Sequence, residues 1–250
     1  MELKEKVAIV TGAAVGTGRA VAIDLARRGC HVVVNYSKSE PDAEATAVAC
    51  RELGVRAVAV QADVANDAAV RAMVARCVAE LGRLDVLVNN AGATAFIAHD
   101  DMDGVTDAVW ESILGVNLKG PFQCIRAALP ELRKAGGAIV NVSSVAGVYA
   151  IGSSVPYIAS KGALNMMTIA LARALAPEIR VNAVAPGFID TRWWQQMPAY
   201  EQVKQMATEK TLLKKVCSAE DVARLVLELV SNDLVTGQVI VIDGGMGIPI

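Results

Sequence analysis

Short runs of valine and isoleucine alternate along the chain with longer segments in which apolar residues recur every three or four positions. Short apolar runs are typical of buried strands, and the longer period is typical of helices with one buried face. The runs predict strands at 6–12, 31–36, 56–63, 84–92, 137–144, 179–187 and 238–245. The longer segments predict helices at 17–28, 41–53, 66–81, 155–175, about 194–208 and 219–230, with two more within 104–134.

The regular alternation of strand and helix determines the predicted architecture. It favours the α/β class, with one doubly wound parallel sheet of about seven strands and helices on both faces. Hydrophobic residues make up 54% of the chain and aromatic residues only 4%, which suits an aliphatic core around buried parallel strands. Since no repeat, linker or low-complexity tract interrupts the pattern, residues 1–250 are predicted to form a single domain.

Composition and charge exclude several classes of function. The net charge is −2 and no basic block stands out, so we expect no nucleic-acid partner. No apolar stretch long enough for a membrane span or a signal peptide is present, so we expect no membrane association. Five widely spaced cysteines and two histidines predict neither a disulfide framework nor a metal site. The chain is therefore expected to be cytoplasmic, with reduced cysteines.

The first predicted strand leads into a turn with glycines at 12, 16 and 18, followed by a helix. Glycines permit a tight turn and let backbone N–H groups approach a ligand closely. The positive end of the following helix would then face a pyrophosphate group. Glycines in this position, between the first strand and a helix, predict a dinucleotide site in a Rossmann-type domain.

The end of the second strand bears on the choice of cofactor. A carboxylate there would bind the ribose 2′-hydroxyl of NAD. Instead Tyr36, Ser37 and Lys38 follow the strand, and no acidic residue occurs before Glu40. Hydroxyl groups and one lysine suit a 2′-phosphate, so NADP(H) is predicted as the preferred cofactor, with NAD(H) as the alternative.

A tyrosine and a lysine four residues apart, Tyr157 and Lys161, lie on one face of the predicted helix 155–175. A nearby ammonium group would lower the pKa of the tyrosine, which could then exchange a proton with a substrate oxygen. Ser144 ends the fifth strand, where its hydroxyl could hold that oxygen. These three residues predict a proton-transfer site for carbonyl or alcohol chemistry.

These features resemble the short-chain dehydrogenase/reductase family over essentially the whole chain. The matching segments occur in the family's order: TGAAVGTG (11–18), Asp63 in QADV, NNAG (89–92), Asn117 in GVNLKG, Ser144 in VSSVAG, YIASK (157–161) and PGFIDT (186–191). One departure is Val15, which replaces a basic residue often found in members that prefer NADP.

The resemblance implies roles for individual residues. Tyr157 would be the acid/base and Ser144 the residue that orients the substrate. Lys161 would bind the nicotinamide ribose and lower the tyrosine pKa, and Asn117 would bend its helix and hold a water. A segment around 188–210 would form a substrate lid. The implied cofactor-binding residues are Gly12, Val15, Gly16, Gly18, Tyr36, Ser37, Lys38, Asp63, Val64, Asn90, Ala91, Gly92, Tyr157, Lys161, Pro186, Gly187, Ile189 and Thr191.

The substrate is expected to be a small carbonyl compound or alcohol with apolar character. Thr94, Ile151 and Trp193 are predicted to line its pocket together with Ser144, although the tryptophans after Thr191 could instead anchor the lid or a subunit interface. The family resemblance implies a reductase similar to 3-oxoacyl-carrier-protein reductases and ketone reductases, assembled as a homotetramer. Two alternatives are an NAD-dependent alcohol dehydrogenase and a non-catalytic NADP-binding sensor or scaffold.

Overall fold

The computed structural model describes residues 1–195 and 199–248, without the side chains of Trp193 and Gln195. Within these residues, seven parallel strands form one sheet in the order β3-β2-β1-β4-β5-β6-β7. The strands are β1 (Val7–Val10), β2 (His31–Tyr36), β3 (Ala57–Gln61), β4 (Val86–Asn89), β5 (Ala138–Val142), β6 (Arg180–Pro186) and β7 (Val239–Ile242). This arrangement confirms the predicted fold class.

Helices follow the strands and cover both faces of the sheet. They are α1 (Gly16–Arg27), α2 (Glu40–Glu52), α3 (Asp67–Leu81), α4 (Asp107–Leu114), α5 (Gly120–Ala135), α6 (Ala146–Tyr149), α7 (Val155–Leu175), α8 (Arg192–Gln195), α9 (Tyr200–Lys210) and α10 (Ala219–Ser231). A π-helical turn at Gly115–Lys119 joins α4 to α5. None of the helices in the described residues is long and apolar enough to cross a bilayer.

Alternation along the strands divides the core into two layers. Ala8 and Val10 of β1 pack on one side with α1, α2 and α10, whereas Val7 and Ile9 pack on the other side with α3, α5 and α7. Every residue of β1 and β2 is buried, as expected for central parallel strands that are covered by helices on both faces. The predicted aliphatic core is therefore present in the structure.

Two local features differ from the sequence-based prediction. The expected helix at 194–208 is two helices, α8 and α9, and the short helix α6 was not predicted. Both differences lie at the carboxyl edge of the sheet. Helices there are short and lack the long buried face that the apolar period detects. Strand order reverses at β1, so the crevice between the exits of β1 and β4 is the expected ligand site.

Candidate active site

The glycine turn after β1 leaves no room for side chains. Gly12 and Gly16 have φ angles of +61° and +59°, which glycine adopts readily and other residues rarely do. A Cβ atom on Gly18 would lie 2.4 Å from the Gly12 carbonyl oxygen and 2.5 Å from Nδ2 of Asn90. The turn therefore packs directly against the exit of β4, where Asn90 lies.

Two asparagines hold this turn in place. Asn90 donates from Nδ2 to the carbonyl oxygens of Thr11 (2.9 Å) and Gly12 (3.1 Å). The Gly12 N–H donates to Oδ1 of the buried Asn35 (3.2 Å), whose amide also donates to the Ala62 carbonyl oxygen. Asn35 was missed by the sequence analysis, because only the folded sheet brings β2 and β3 beside the turn.

The N-terminus of α1 suits an anion. Its N-cap residue is Val15, and among the described residues no side chain caps the helix and no acidic residue occupies its first turn. The exposed N–H groups therefore need a partner, and a diphosphate is a suitable one. The side chain of Thr191 lies across this turn, with Cγ2 3.6 Å from where a Gly16 Cβ would be. These residues fit the diphosphate of a nicotinamide dinucleotide.

The predicted adenosine-binding residues lie at the exits of β2 and β3. Ser37 and Lys38 are exposed after β2, whereas Tyr36 is buried. Burial and the nearby Glu40 carboxylate raise the Tyr36 pKa. Asp63 is exposed and Val64 is buried, where its side chain contacts Gly120. Only the backbone of Val64 is therefore left to meet a cofactor.

The π-helical turn places Asn117 in the interior of the site. Its Oδ1 accepts from the Ala93 N–H (2.8 Å), and its Nδ2 donates to the Ala93 carbonyl oxygen (2.9 Å) and to Oγ of Ser160 (3.0 Å). Ser160 in turn donates to the carbonyl oxygen of Tyr157 (2.7 Å). Asn117 therefore links the loop after β4 to the helix that carries Tyr157, and π-helical turns often occur at functional sites.

Tyr157, Ser144 and Lys161 converge at the carboxyl edge of the sheet. Ser154 caps α7 by accepting from the Tyr157 N–H, which fixes the start of the helix. The Ser144 hydroxyl is within hydrogen-bonding range of the Tyr157 side chain. Lys161 is buried, with Nζ 5.7 Å from the centre of the Tyr157 ring, and donates to the Val142 carbonyl oxygen (2.9 Å).

The acid–base properties of this group differ from the sequence-based expectation. Burial raises the pKa of Tyr157, and the hydrogen bond with Ser144 offsets only part of that rise. Burial also lowers the pKa of Lys161 to about 8. In the protein without bound cofactor, burial therefore sets the direction of the Tyr157 pKa, and a lowering of that pKa by Lys161 stays a prediction.

The segment after β6 is fixed to its surroundings by backbone hydrogen bonds. The Val145 N–H donates to the Pro186 carbonyl oxygen (2.9 Å), and Ile189 forms a bridge with Cys217. Gly187 packs against Asp243, which leaves no space for a Cβ atom. Lys204 of α9 forms an ion pair with Asp190 (2.5 Å), so α9 is attached to the segment that contains Thr191.

A cavity of about 500 Å³ opens beside Gly152, whose backbone packs on the Tyr157 ring. Of the predicted pocket residues, Thr94 hydrogen-bonds to Ser153 at its edge, and Ile151 is exposed and does not line it. The side chain of Trp193 lies outside the described part of the structure. The lining residues are Phe96, Ile97, Ala98, His99, Gly152, Ser153 and Trp194.

Residues 12–247 match the family model described as Enoyl-(Acyl carrier protein) reductase. The chain is 45% identical over 240 residues to a protein named as ketoacyl reductase 2 of the granaticin polyketide synthase of Streptomyces violaceoruber, covering 96% of this chain and 95% of that protein. This protein belongs to the short-chain dehydrogenase/reductase family.

Further relatives agree with that assignment. The 3-oxoacyl-acyl-carrier-protein reductase FabG of Staphylococcus aureus is 39% identical over 245 residues, with 96% of this chain and 98% of that protein covered. A solved structure from Burkholderia xenovorans, assigned to the same family, superposes with a TM-score of 0.92 at 37% identity and covers 98% of each chain. The protein is therefore an oxidoreductase that acts on a carbonyl or alcohol group.

The glycine turn and the residues around Tyr157, both predicted from the sequence, lie at the carboxyl edge of the sheet in this short-chain dehydrogenase/reductase. Phe96 and Trp194 line the cavity and were not predicted, and the prediction for Trp193 falls outside the described side chains. Phe96 could have been found from the sequence, because aromatic residues are rare in this chain and Phe96 follows the NNAG segment of the predicted site.

Proposed function

We propose that this protein is an NADPH-dependent reductase of ketones or 3-oxoacyl compounds, with Tyr157 as the general acid. The observation that carries the proposal is the convergence of Tyr157, Ser144 and Lys161 at the carboxyl edge of the sheet, the edge at which the uncapped start of α1 also lies. A nicotinamide cofactor bound along the glycine turn supplies a hydride to the carbonyl carbon. The relatives named as ketoacyl reductases support the same direction of chemistry.

The proton in this reaction comes from Tyr157. As the carbonyl carbon is reduced, its oxygen becomes an alkoxide, which accepts a hydrogen bond from the Ser144 hydroxyl and the proton of the Tyr157 hydroxyl. The raised pKa of Tyr157 keeps that proton in place at neutral pH until the alkoxide forms. Lys161 would bind the nicotinamide ribose, as the family resemblance implies, and Asn117 is linked to α7 through Ser160.

The charge distribution favours a free small molecule over a carrier-bound substrate. A carrier protein, being acidic, would need unpaired basic residues near the crevice. Arg126 pairs with Asp67 (2.7 Å), and Arg192 pairs with Asp42 (3.2 Å). Because acidic neighbours offset these charges, we infer that the substrate is a free ketone or a small thioester.

A panel of ketones and 3-oxoacyl thioesters, assayed with NADPH and NADH, tests the proposal. We expect NADPH oxidation coupled to alcohol formation with at least one ketone. Oxidation of alcohols by NAD⁺, with no reduction of any ketone, would instead support the alternative of an NAD-dependent alcohol dehydrogenase. A cytoplasmic location follows from the same proposal, and the five buried, unpaired cysteines suit a reducing compartment.

NADPH should be preferred over NADH, because no carboxylate follows β2 at the position that would contact the ribose. The exposed Ser37 offers a direct test, whereas Tyr36 is buried and would place a new charge in the core. We expect Ser37→Asp to shift the ratio of kcat/KM for NADPH over NADH towards NADH by at least tenfold, through repulsion of the 2′-phosphate.

Ser37→Asn is the matched control, because asparagine has the shape of aspartate without its charge. It should leave the NADPH to NADH ratio within about threefold of the wild-type value. A wild-type kcat/KM that favours NADH, or equal effects of the two substitutions, would contradict the assignment of NADP(H).

We propose that the protein assembles as a homotetramer. Apolar side chains are exposed on the helices that the family resemblance places between subunits, with Phe122 on α5 43% exposed and Met166 on α7 64% exposed. Exposed apolar side chains on helix faces are typical of surfaces that other subunits cover. Sedimentation at micromolar concentration should give a mass four times that of one chain. The Met166→Lys variant should give a lower mass, because the lysine weakens the subunit contact. A monomeric wild-type protein would contradict this prediction.

A further inference from the structure

Three aromatic side chains meet at the mouth of the cavity beside Tyr157, and we call Phe96, Phe188 and Trp194 the aromatic cluster. The ring centres of Phe96 and Trp194 lie 5.3 Å apart at an angle of 62°, and those of Phe188 and Trp194 lie 5.0 Å apart at 30°. The whole chain has only three phenylalanines and three tryptophans. Two of those phenylalanines and one of those tryptophans therefore lie together next to the reacting group.

The cluster comes from two separate segments. Phe96 belongs to the loop after β4, whereas Phe188 and Trp194 flank Thr191 in the segment after β6. Edge-to-face and offset-stacked rings attract one another, so these contacts hold the two loops together across the crevice. Phe96 remains 47% exposed, which leaves part of its ring available to a ligand.

One wall of the cavity packs against the proton donor. A Cβ atom on Gly152 would lie 3.3 Å from Cδ1 of Tyr157, so the backbone of Gly152 packs on the phenol ring. The opposite wall is fixed to this segment, because the Ile97 N–H donates to the Ser153 carbonyl oxygen (2.9 Å) and His99 Nε2 lies 2.9 Å from the Gly152 carbonyl oxygen. A ligand in the cavity would therefore contact rings on one side and lie near Tyr157 on the other.

The polar groups at the cavity already have partners within the protein. The hydroxyls of Thr94 and Ser153 hydrogen-bond to each other, and His99 is paired with Gly152. Among the described residues that line the cavity, none is Asp, Glu, Lys or Arg. The contact surface is therefore mainly apolar and aromatic, and its volume of about 500 Å³ lies in the range that holds drug-sized molecules.

We propose that the aromatic cluster selects ketones whose carbonyl group is attached to or fused with a flat apolar ring. The ring would pack against Phe96 and Trp194 while the carbonyl oxygen reaches Tyr157 and Ser144. This inference rests on the proposed function, since it names the substrate class of the same site. It extends that function because a short, unbranched 3-oxoacyl group would leave the aromatic cluster without a partner.

Two ketones of different shape test the inference. With 2-tetralone, which carries a fused ring, we expect a higher kcat/KM than with ethyl 3-oxobutanoate, which is unbranched. Trp194→Leu should lower kcat/KM for 2-tetralone by at least tenfold, mainly through KM, and change that for ethyl 3-oxobutanoate by less than about threefold. Trp194→Phe keeps a ring and should restore most of the selectivity, which a merely structural role of Trp194 does not predict.

Trp110→Leu is the matched control, because Trp110 lies on α4 and does not line the cavity. It should leave the ratio of the two kcat/KM values unchanged. A ratio that moves less than threefold in Trp194→Leu, or a wild-type preference for ethyl 3-oxobutanoate, would overturn the proposal.

A binding measurement separates failure of this inference from failure of the proposed function. 2-Naphthol is flat and is not a ketone, so calorimetric titration in the presence of NADPH needs no turnover. We expect it to bind the wild-type protein and to bind Trp194→Leu at least tenfold more weakly. Equal affinity, or no binding to the wild type, overturns the aromatic-ketone inference even if other ketones are reduced. Binding without reduction of any ketone would contradict the proposed function, while the aromatic cluster would still bind flat rings.

Discussion

Replacement of Tyr157 by phenylalanine should lower kcat for ketone reduction by about 10²- to 10⁴-fold, which is the usual contribution of general acid catalysis. The substitution removes only the hydroxyl that hydrogen-bonds with Ser144. The ring remains packed against Gly152, and Ser154 still caps the helix. Folding and NADPH affinity should therefore be unchanged, which thermal unfolding and fluorescence titration of NADPH would check.

Tyr149→Phe is a suitable control for this substitution. Tyr149 lies on α6, close to the site in sequence, and its hydroxyl interacts with Asp243. Removal of that hydroxyl should change kcat by less than about threefold. Turnover by Tyr157→Phe close to the wild-type value on the same ketone would show that another group donates the proton.

The pH dependence of the wild-type enzyme should reflect the same residue. Burial raises the Tyr157 pKa, so the side chain stays protonated through neutral pH. Reduction needs the protonated form, and its rate should therefore be flat through neutral pH and fall only under alkaline conditions. Oxidation of the corresponding alcohol needs the deprotonated form and should rise with pH. Opposite trends would contradict the role of Tyr157.

The second large effect is expected for Lys161→Met. The variant removes the amine that donates to the Val142 carbonyl oxygen. We propose that the same amine holds the nicotinamide ribose when the cofactor binds. We expect kcat to fall at least 10²-fold and the Kd for NADPH to rise about tenfold, since one substitution removes both a catalytic partner and a binding contact. A variant that keeps wild-type turnover and affinity would show that Lys161 is only a core residue.

Stability should change in the opposite direction from activity. Burial lowers the Lys161 pKa from its ordinary value to about 8, so the unfolded chain binds a proton more readily than the folded one. The charged lysine therefore costs stability below about pH 8, on the order of 3 kcal/mol, and that cost disappears as pH rises towards the unfolded value. Lys161→Met should accordingly be more stable than wild type at pH 7, with a smaller difference at pH 10.

Urea unfolding of the cofactor-free protein at both pH values measures this difference. Lys134→Met serves as control, because the Lys134 side chain is 71% exposed and pairs only with Glu131 at the surface. Its free energy of unfolding should stay within about 0.5 kcal/mol of wild type. A loss of stability in Lys161→Met at pH 7 would mean that the amine stabilises the fold through its hydrogen bond more than its burial destabilises it.

Features that depend on local spacing could be predicted from the sequence. Glycines at 12, 16 and 18, between a strand and a helix, are typical of a dinucleotide-binding turn. Tyr157 and Lys161 are four positions apart, which puts them on one face of a helix. The carboxyl ends of parallel strands lie at one edge of the sheet. Ser144 at the end of the fifth strand could therefore be expected near Tyr157 from the sequence alone.

Features that depend on tertiary contacts could not be predicted in the same way. Asn35 supports the glycine turn only because β2 lies beside β1, and Trp194 contacts Phe96 only because the loop after β4 meets the segment after β6. The effect of burial on the Tyr157 pKa could not be predicted, because spacing reveals the neighbouring lysine but not how far both groups lie from water.

Transfer of hydride from NADPH to a ketone tests the central claim most directly. The protein would be mixed with NADPH carrying deuterium on both positions of nicotinamide C4, together with a ketone from the panel, and the alcohol analysed by mass spectrometry. We predict one deuterium on the carbinol carbon for each NADPH oxidised, and in the same time Tyr157→Phe should form at least 10²-fold less labelled alcohol than the wild type or Tyr149→Phe. NADPH that binds but is never oxidised by any ketone would contradict the account and identify a non-catalytic sensor or scaffold.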